Sequence, residues 1–268
     1  MKKLFALLLV LVLGLSLCAC GSKEPTVDPE PEVQVDYNAK SEGVMTYEEF
    51  EKTDVDNVVT IEGYVQAAQS YWNGAKLYLQ DPSGAYFIYC EGDGSDVNIS
   101  EEDYAKLVAN TNYSEGWTGL ANGTKVKVTG YKSAWAGEVE IVEVSELVLY
   151  ENEPKWIADA LDLTDKFDDV AALEKFENQK VVFKGLTVES AALYKWDGSG
   201  EAGQNHDLYI SFTNGTTTYS FTVESYLMYE GSDVYNAVLG LQAGDVVDVE
   251  GFLYWYEAPQ LHITAINK

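Results

Sequence analysis

Few residues in this chain could do acid–base or nucleophilic chemistry. Its 268 residues include two histidines, His206 and His262, three cysteines, and 44 Asp plus Glu. There is no nucleophile elbow, no His-Glu metal motif, no phosphate-binding glycine loop and no zinc-type cysteine pair. No catalytic residue, cofactor or metal is therefore expected. Close carboxylate pairs are guaranteed by the abundance of acids, so they do not point to glycosidic cleavage. His206 beside Asp207 reads as a polar loop neighbour. Two acidic runs, Glu91-Gly92-Asp93-Gly94-Ser95-Asp96 and Asp197-Gly198-Ser199-Gly200-Glu201, offer oxygen ligands of the kind calcium takes. Neither has the glycine and glutamate spacing of a helix–loop–helix calcium site, and solvated turns are expected. The more informative residues are aromatic. Tryptophans and tyrosines recur through the chain, and their faces stack on sugar rings and on bases.

The N-terminus carries a second kind of chemistry. Lys2 and Lys3 precede an almost unbroken apolar run over residues 4–17, too short for a membrane span and suited to a signal-peptide core. Leu17-Cys18-Ala19-Cys20-Gly21 follows and resembles a bacterial lipobox, with Leu at −3, a small residue at −1 and the acceptor cysteine at +1. Cys18 is a poorer acceptor because Leu17 would stand before it. The resemblance implies that residues 1–19 are removed, that Cys20 is lipidated, and that the chain is anchored at the extracytoplasmic face of a bacterial cell membrane. The competing reading is an ordinary secretory signal with incidental cysteines. With Cys20 acylated, Cys90 is the only thiol left, and Tyr86-Phe87-Ile88-Tyr89-Cys90 makes it a small buried apolar residue.

The formal net charge is −27, and all 17 basic residues are lysine. Losing Lys2 and Lys3 leaves 15 against 44 acids, a charge of −29. Phosphate backbones are held by Lys and Arg clusters, with Arg supplying the bidentate fork. An acidic chain without arginine disfavours nucleic acid as a partner. A composition 46% hydrophobic and 13% aromatic fills real cores and excludes wholesale disorder. Residues 20–43, rich in Glu, Pro, Asp and Val, read as a disordered, self-repelling tether of at most ~75 Å at ~3.3 Å per residue.

Beyond the tether the pattern is all-β with short helices. Residues 58–65 alternate as a strand. Residues 77–80 and 86–89 flank Asp81-Pro82-Ser83-Gly84 as a hairpin. Ser100 caps a helix to about residue 110, with Asp103 three positions on and a stripe of Tyr104, Leu107 and Val108. Residues 125–131 and 138–149 are two more strands. The same order returns at 181–185, 208–212, 218–221, a helix from Ser232 to about 239, then 245–252 and 260–266. Gly63 and Gly185 are 122 apart, Trp72 and Trp196 124, Gly130 and Gly251 121, and Trp135 and Trp255 120. Offsets this uniform indicate an internal duplication. Between the copies, residues 156–176 read as helical, from Trp156, Ile157, Ala160 and Leu161 to Val170, Leu173 and Phe176.

Each copy resembles the OB fold, a five-stranded Greek-key barrel with a helix between its third and fourth strands. The resemblance rests on Gly63 and Gly185 late in a first strand, the LYLQDPSG hairpin, and GTKVKVTG and GDVVDVEG leading into Gly130 and Gly251. It implies two tandem barrels, residues 44–151 and, after a helical linker, within 152–268. It also implies where a ligand would sit: on strands two and three, framed by two loops. The first loop holds Tyr71 and Trp72 in copy one and Tyr194 and Trp196 in copy two. The second holds Trp135 in copy one and Tyr254, Trp255 and Tyr256 in copy two. Strand two adds Tyr78 and Tyr209. Tyr71, Trp72, Tyr78, Trp135, Tyr194, Trp196, Tyr209 and Trp255 are the candidate ligand-binding residues. An oligosaccharide or peptide is the favoured ligand of a non-enzymatic binding protein. Alternatives are a structural or interaction protein of the cell envelope, whose loop aromatics plug the barrels or pack them together, and binding of extracellular single-stranded nucleic acid.

Overall fold

A computed structural model describes residues 35–71, 74–90, 97–107 and 120–268, with the side chains of Ser70 and Tyr71 left aside. The signal-peptide residues, Cys20, most of the tether, Trp72, and the acidic run 91–96 lie outside the described residues.

The first barrel is built from α1 (Tyr47–Lys52), β1 (Val58–Tyr71), β2 (Gly74–Asp81), β3 (Gly84–Cys90), α2 (Glu101–Leu107), β4 (Lys125–Trp135) and β5 (Glu138–Tyr150). Thr46 and Glu49 form a reciprocal cap at the start of α1. Ser100 Oγ accepts from Asp103 N–H at 3.0 Å, so α2 starts where its cap predicts. The β2–β3 turn is held by Asp81, whose Oδ1 accepts from the amides of Ser83 (2.7 Å) and Gly84 (3.1 Å). The strands close in the order β1-β2-β3-β5-β4. β1 pairs antiparallel with both β2 and β4, and the ring is completed by a parallel pairing of β3 with β5 at Ile88 and Ile141.

The chain then runs through β6 (Leu161–Asp162) and α3 (Val170–Leu173) into β7 (Lys180–Val188), β8 (Leu193–Tyr194), β9 (Leu208–Thr213), β10 (Thr218–Val223), α4 (Asp233–Leu239), β11 (Val246–Trp255) and β12 (Pro259–Asn267). The second ring is β7-β11-β12-β10-β9, closed by β9 on β7. β8 continues along the same edge of β9, so β7 and β8 together do what the single long β1 does in the first copy. Both copies have the strand order of the OB fold. Ser232 caps α4 through Tyr235 N–H, as its sequence predicts.

Two of the duplicated glycines have one physical cause. Gly130 and Gly251 each sit at the register shift between their fourth and fifth strands. A Cβ there would stand 2.7 Å from Val142 O and 2.2 Å from His262 O, both backbone atoms that cannot step aside. Gly251→Ala is therefore expected to cost about 1–3 kcal/mol or more through overpacking, read as a lowered midpoint in urea denaturation.

The helical reading of residues 156–176 is corrected. Residues 156–160 form no helix, and 161–162 are the short strand β6. Trp156 N–H donates to Gly123 O (3.1 Å), Ala158 N–H donates to the Gln66 side-chain oxygen (2.8 Å), and β6 pairs parallel with β7. Only short helical turns follow, at Thr164–Lys166, α3 and Glu174–Phe176, and of these α3 has a side-chain cap, Asp169 accepting from Ala172 N–H. The residues that go inward are Ala158, Leu163, Phe167 and Leu173. That spacing is irregular: the first half of the stripe is not helical, with Ile157 and Leu161 exposed, and the second half is helical only over α3 and the turn that follows it.

Each barrel has its own apolar core, and a third cluster of Ala67, Tyr78, Phe87, Leu227 and Phe252 lies between them. The N-terminal segment is clamped to the first barrel. Lys40 Nζ donates to Glu62 O (2.7 Å) and pairs with buried Asp81, while Ser41 N–H donates to the Glu62 carboxylate (3.2 Å). Cys90 is buried, and burial pushes its thiol up to about 11.

Candidate ligand cleft and the seam between the barrels

Strand alternation decides which side chains of β2 and β3 face outward. Leu77, Leu79, Tyr86, Ile88 and Cys90 enter the core. Lys76, Tyr78, Gln80, Phe87 and Tyr89 therefore occupy the outer face, where an OB fold usually binds. The second barrel covers much of this face. Tyr78 stacks on Phe252 with centroids 4.3 Å apart, and Phe87 meets Tyr254 edge-on at 5.5 Å. Gln80 accepts from Lys180 N–H at 3.0 Å. Tyr78 OH lies 2.6 Å from Nδ1 of His262, which is itself stacked on Tyr254. Burial lowers His262 to about 3 and raises the Tyr78 phenol far above its usual value. The ring is thus neutral, Tyr78 donates to Nδ1, and the imidazole proton sits on Nε2, 3.5 Å from Glu224 Oε1.

The seam continues where the β4–β5 turn meets the β11–β12 turn. Glu257 N–H donates to Ala136 O (2.6 Å), and Trp255 N–H donates to Glu138 Oε2 (2.8 Å). The Trp255 indole lies against Gly137, where a Cβ would come within 2.5 Å of Cδ1. Glu138 also faces the carboxyl of Glu177, which accepts from the Val139 amide. Burial, then the neighbouring Glu177 charge, raises the Glu138 carboxyl far above the carboxylate range. Burial raises Glu177 to about 7. Both acids in the seam are thus displaced toward the protonated form.

What the second barrel leaves open is a cleft of about 370 Å³, lined by Lys76, Phe87, Tyr89, Trp135, Glu140 and Tyr254. Its volume falls within the range of small-molecule sites, ~300–1,000 Å³. Trp135 is 54% exposed and leans on Tyr256, with centroids 5.2 Å apart. Lys76 Nζ lies 5.4 Å from the Tyr89 ring centroid.

The eight candidate residues thus meet different fates. Trp135 stands on the open cleft. Tyr78, 1% exposed, and Trp255, 7% exposed, are corrected: both are consumed by the seam and offer no face to a ligand. Trp196 and Tyr209 line a separate, smaller pocket on the second barrel, and Tyr194 packs on that barrel's core beside it. Trp72 and the Tyr71 side chain lie outside the described residues. Sequence reasoning missed Phe87, Tyr89, Lys76 and Glu140. The alternation of Tyr86-Phe87-Ile88-Tyr89 carried the signal for the first two, because Ile88 goes inward. In the run 197–201, Asp197 Oδ1 accepts from Ser199 N–H at 2.9 Å, which is turn chemistry.

No family model matches the chain, and no curated protein matches it. Matches to solved structures are distant. Asparaginyl-tRNA synthetase from Entamoeba histolytica is 16% identical at a TM-score of 0.29, over 39% of this chain and 23% of that one. The chain thus spans less than a quarter of that enzyme's length. Single-stranded DNA binding protein from Thermus aquaticus is 12% identical at 0.24, over 81% and 94%. A replication protein A heterotrimer bound to single-stranded DNA is 10% identical at 0.27, over 87% and 70%. Likeness at this level does not speak to what this chain binds.

Proposed function

We propose that this is a lipid-anchored, extracytoplasmic, non-enzymatic binding protein whose inter-barrel cleft takes an oligosaccharide. The observation that carries the reading is the exposed Trp135 indole over a cleft walled by Phe87, Tyr89 and Tyr254, with Lys76 and Glu140 as polar groups for sugar hydroxyls. Aromatic faces supply stacking area for sugar rings at low entropic cost, and a balanced Lys–Glu pair suits a neutral ligand. Nucleic acid is disfavoured on two grounds. The chain has no arginine and a charge of −27, and the second barrel covers much of the face that would track a strand. The interaction-protein reading draws on the seam itself, which accounts for Tyr78 and Trp255 without any ligand.

A glycan array probed with the full chain is expected to give hits, and the best sugar should change tryptophan emission. Trp135→Ala is expected to weaken that sugar about tenfold, the equivalent of one lost stacking contact. No hit, with emission indifferent to every sugar, would sink the oligosaccharide reading. For the anchor, Cys20→Ser is expected to move the protein out of the membrane fraction; full retention would contradict lipidation at that residue.

A further inference from the structure

The smaller pocket, about 160 Å³, lies on the second barrel, apart from the cleft, and Trp196, Tyr209, Tyr226 and Asp207 are among its lining residues. Its walls are held before any ligand arrives. The 203–207 loop is fixed by Glu230, which accepts from the amides of Gly203 (2.6 Å) and Asn205 (3.1 Å). Tyr235 OH donates to His206 O (2.7 Å), and Lys195 N–H donates to Asp207 O (3.1 Å). Gly200 leaves no room for a side chain, since a Cβ would sit 2.4 Å from His206 Nδ1. Trp196 is nonetheless 77% exposed, a large apolar face presented to solvent from an ordered rim.

The charge behind the aromatics is negative. Asp207 Oδ1 accepts from Ser225 N–H (2.7 Å) and from the Ser225 hydroxyl (2.8 Å). Burial, and then the charge of Glu224, raise the Asp207 carboxyl. Asp207 and Tyr209 share the outer face of β9, because Leu208 and Ile210 enter the core; Thr222 and Glu224 share that face by the same alternation around Val223. Gln69 of the first barrel reaches the same place, its amide 3.4 Å from Glu224 Oε2. Asp207 is thus the carboxylate in the pocket lining, with Glu224 close behind it. Among the described residues, the one lysine lining the pocket is Lys195, exposed at the rim.

We infer that this pocket binds an alkylammonium group, with Trp196, Tyr209 and Tyr226 as aromatic walls and Asp207 as the countercharge. A cation over aromatic faces is attracted by their quadrupoles, and more strongly where water is excluded. The volume suits a head group and is too small for an oligosaccharide. The inference is independent of the sugar reading, since it uses none of the cleft residues.

The test is calorimetric titration of the full chain, in detergent micelles at low salt, with tetramethylammonium, with n-butylammonium, and with tert-butanol as the neutral isostere of the first. Saturable binding of at least one ammonium, with tert-butanol at least tenfold weaker, is expected. The two ammonium arms separate a quaternary head group from a lysine-type amine. Asp207→Asn and Trp196→Ala should each weaken the better ammonium about tenfold, and Lys195→Ala should strengthen it. Trp196 is exposed, so its variant folds even if Asp207→Asn does not. Trp135→Ala should leave ammonium binding unchanged. The inference is overturned by equal binding of tert-butanol, by no saturable heat with either ammonium, by unchanged affinity in Trp196→Ala, or by loss of binding in Trp135→Ala.

Discussion

Glu177→Gln is expected to stabilise the protein by about 3 kcal/mol at pH 8 and by almost nothing at pH 4.5. Glu177 is buried in the seam and titrates at about 7, above its ordinary 4.5. An acid whose folded pKa is raised contributes fully below the unfolded value, and that contribution is lost as pH climbs through the folded value. Between pH 4.5 and 7 the parent therefore sheds about 1.4 kcal/mol per pH unit from this group, and the glutamine variant does not. The glutamine keeps an oxygen for the Val139 amide. His262 works in the opposite sense. Its folded pKa of about 3 lies below the ordinary 6.5, so its contribution is present above pH 6.5 and is lost toward pH 3. Glu138, whose carboxyl is raised as well, loses stability over the same range in the same sense as Glu177. Between about pH 4.5 and 6.5 the histidine slope offsets one of the two acids in the parent, and in Glu177→Gln the curve should flatten across that window. Urea denaturation at four pH values reads both curves. A stabilisation by Glu177→Gln that is the same at pH 4.5 and pH 8 would rule out a buried, raised carboxyl in the seam.

Tyr78→Ala is the second large effect, with about 3–5 kcal/mol expected for removing a fully buried aromatic side chain. It deletes the stack on Phe252 and strands the Nδ1 acceptor of His262 in the interior. Each barrel has its own core, so the variant should unfold in two steps instead of one, with the barrels no longer coupled through the seam. Tyr78→Phe keeps the ring and loses only the hydroxyl. It should cost about 1–3 kcal/mol, the penalty of an unsatisfied buried acceptor, and keep a single transition. A Tyr78→Ala protein with the parent's midpoint would mean that the barrels are not held together through this residue.

Much of the fold was legible because its signals are local. Alternating residues, the Asp81 turn, and the Ser100 and Ser232 caps each act within a few positions, and the duplication repeats them at nearly constant offsets. The segment after the first barrel was misread because its geometry comes from distant partners: the Gln66 side chain and the edge of β7 dictate a non-helical path that no neighbour in sequence signals. The site was half legible for a related reason. Outward tyrosines and tryptophans mark the binding side of an OB barrel, but periodicity does not say that one copy's binding side is turned against its twin. Tyr78 and Trp135 therefore looked alike in the sequence, while one is sealed and the other is open.

The clamp at Lys40 has a mechanical meaning. The chain ahead of it meets the barrel at an ion pair with buried Asp81 and at the backbone of Glu62, well before the first strand begins at Val58. Any pull arriving through the N-terminal segment is borne by Tyr37 packed on Tyr64 and Trp156, by that attachment, and by Ser41 on the Glu62 carboxylate. The stretch between the clamp and the start of β1, α1 included, is thus shielded from load until these contacts let go.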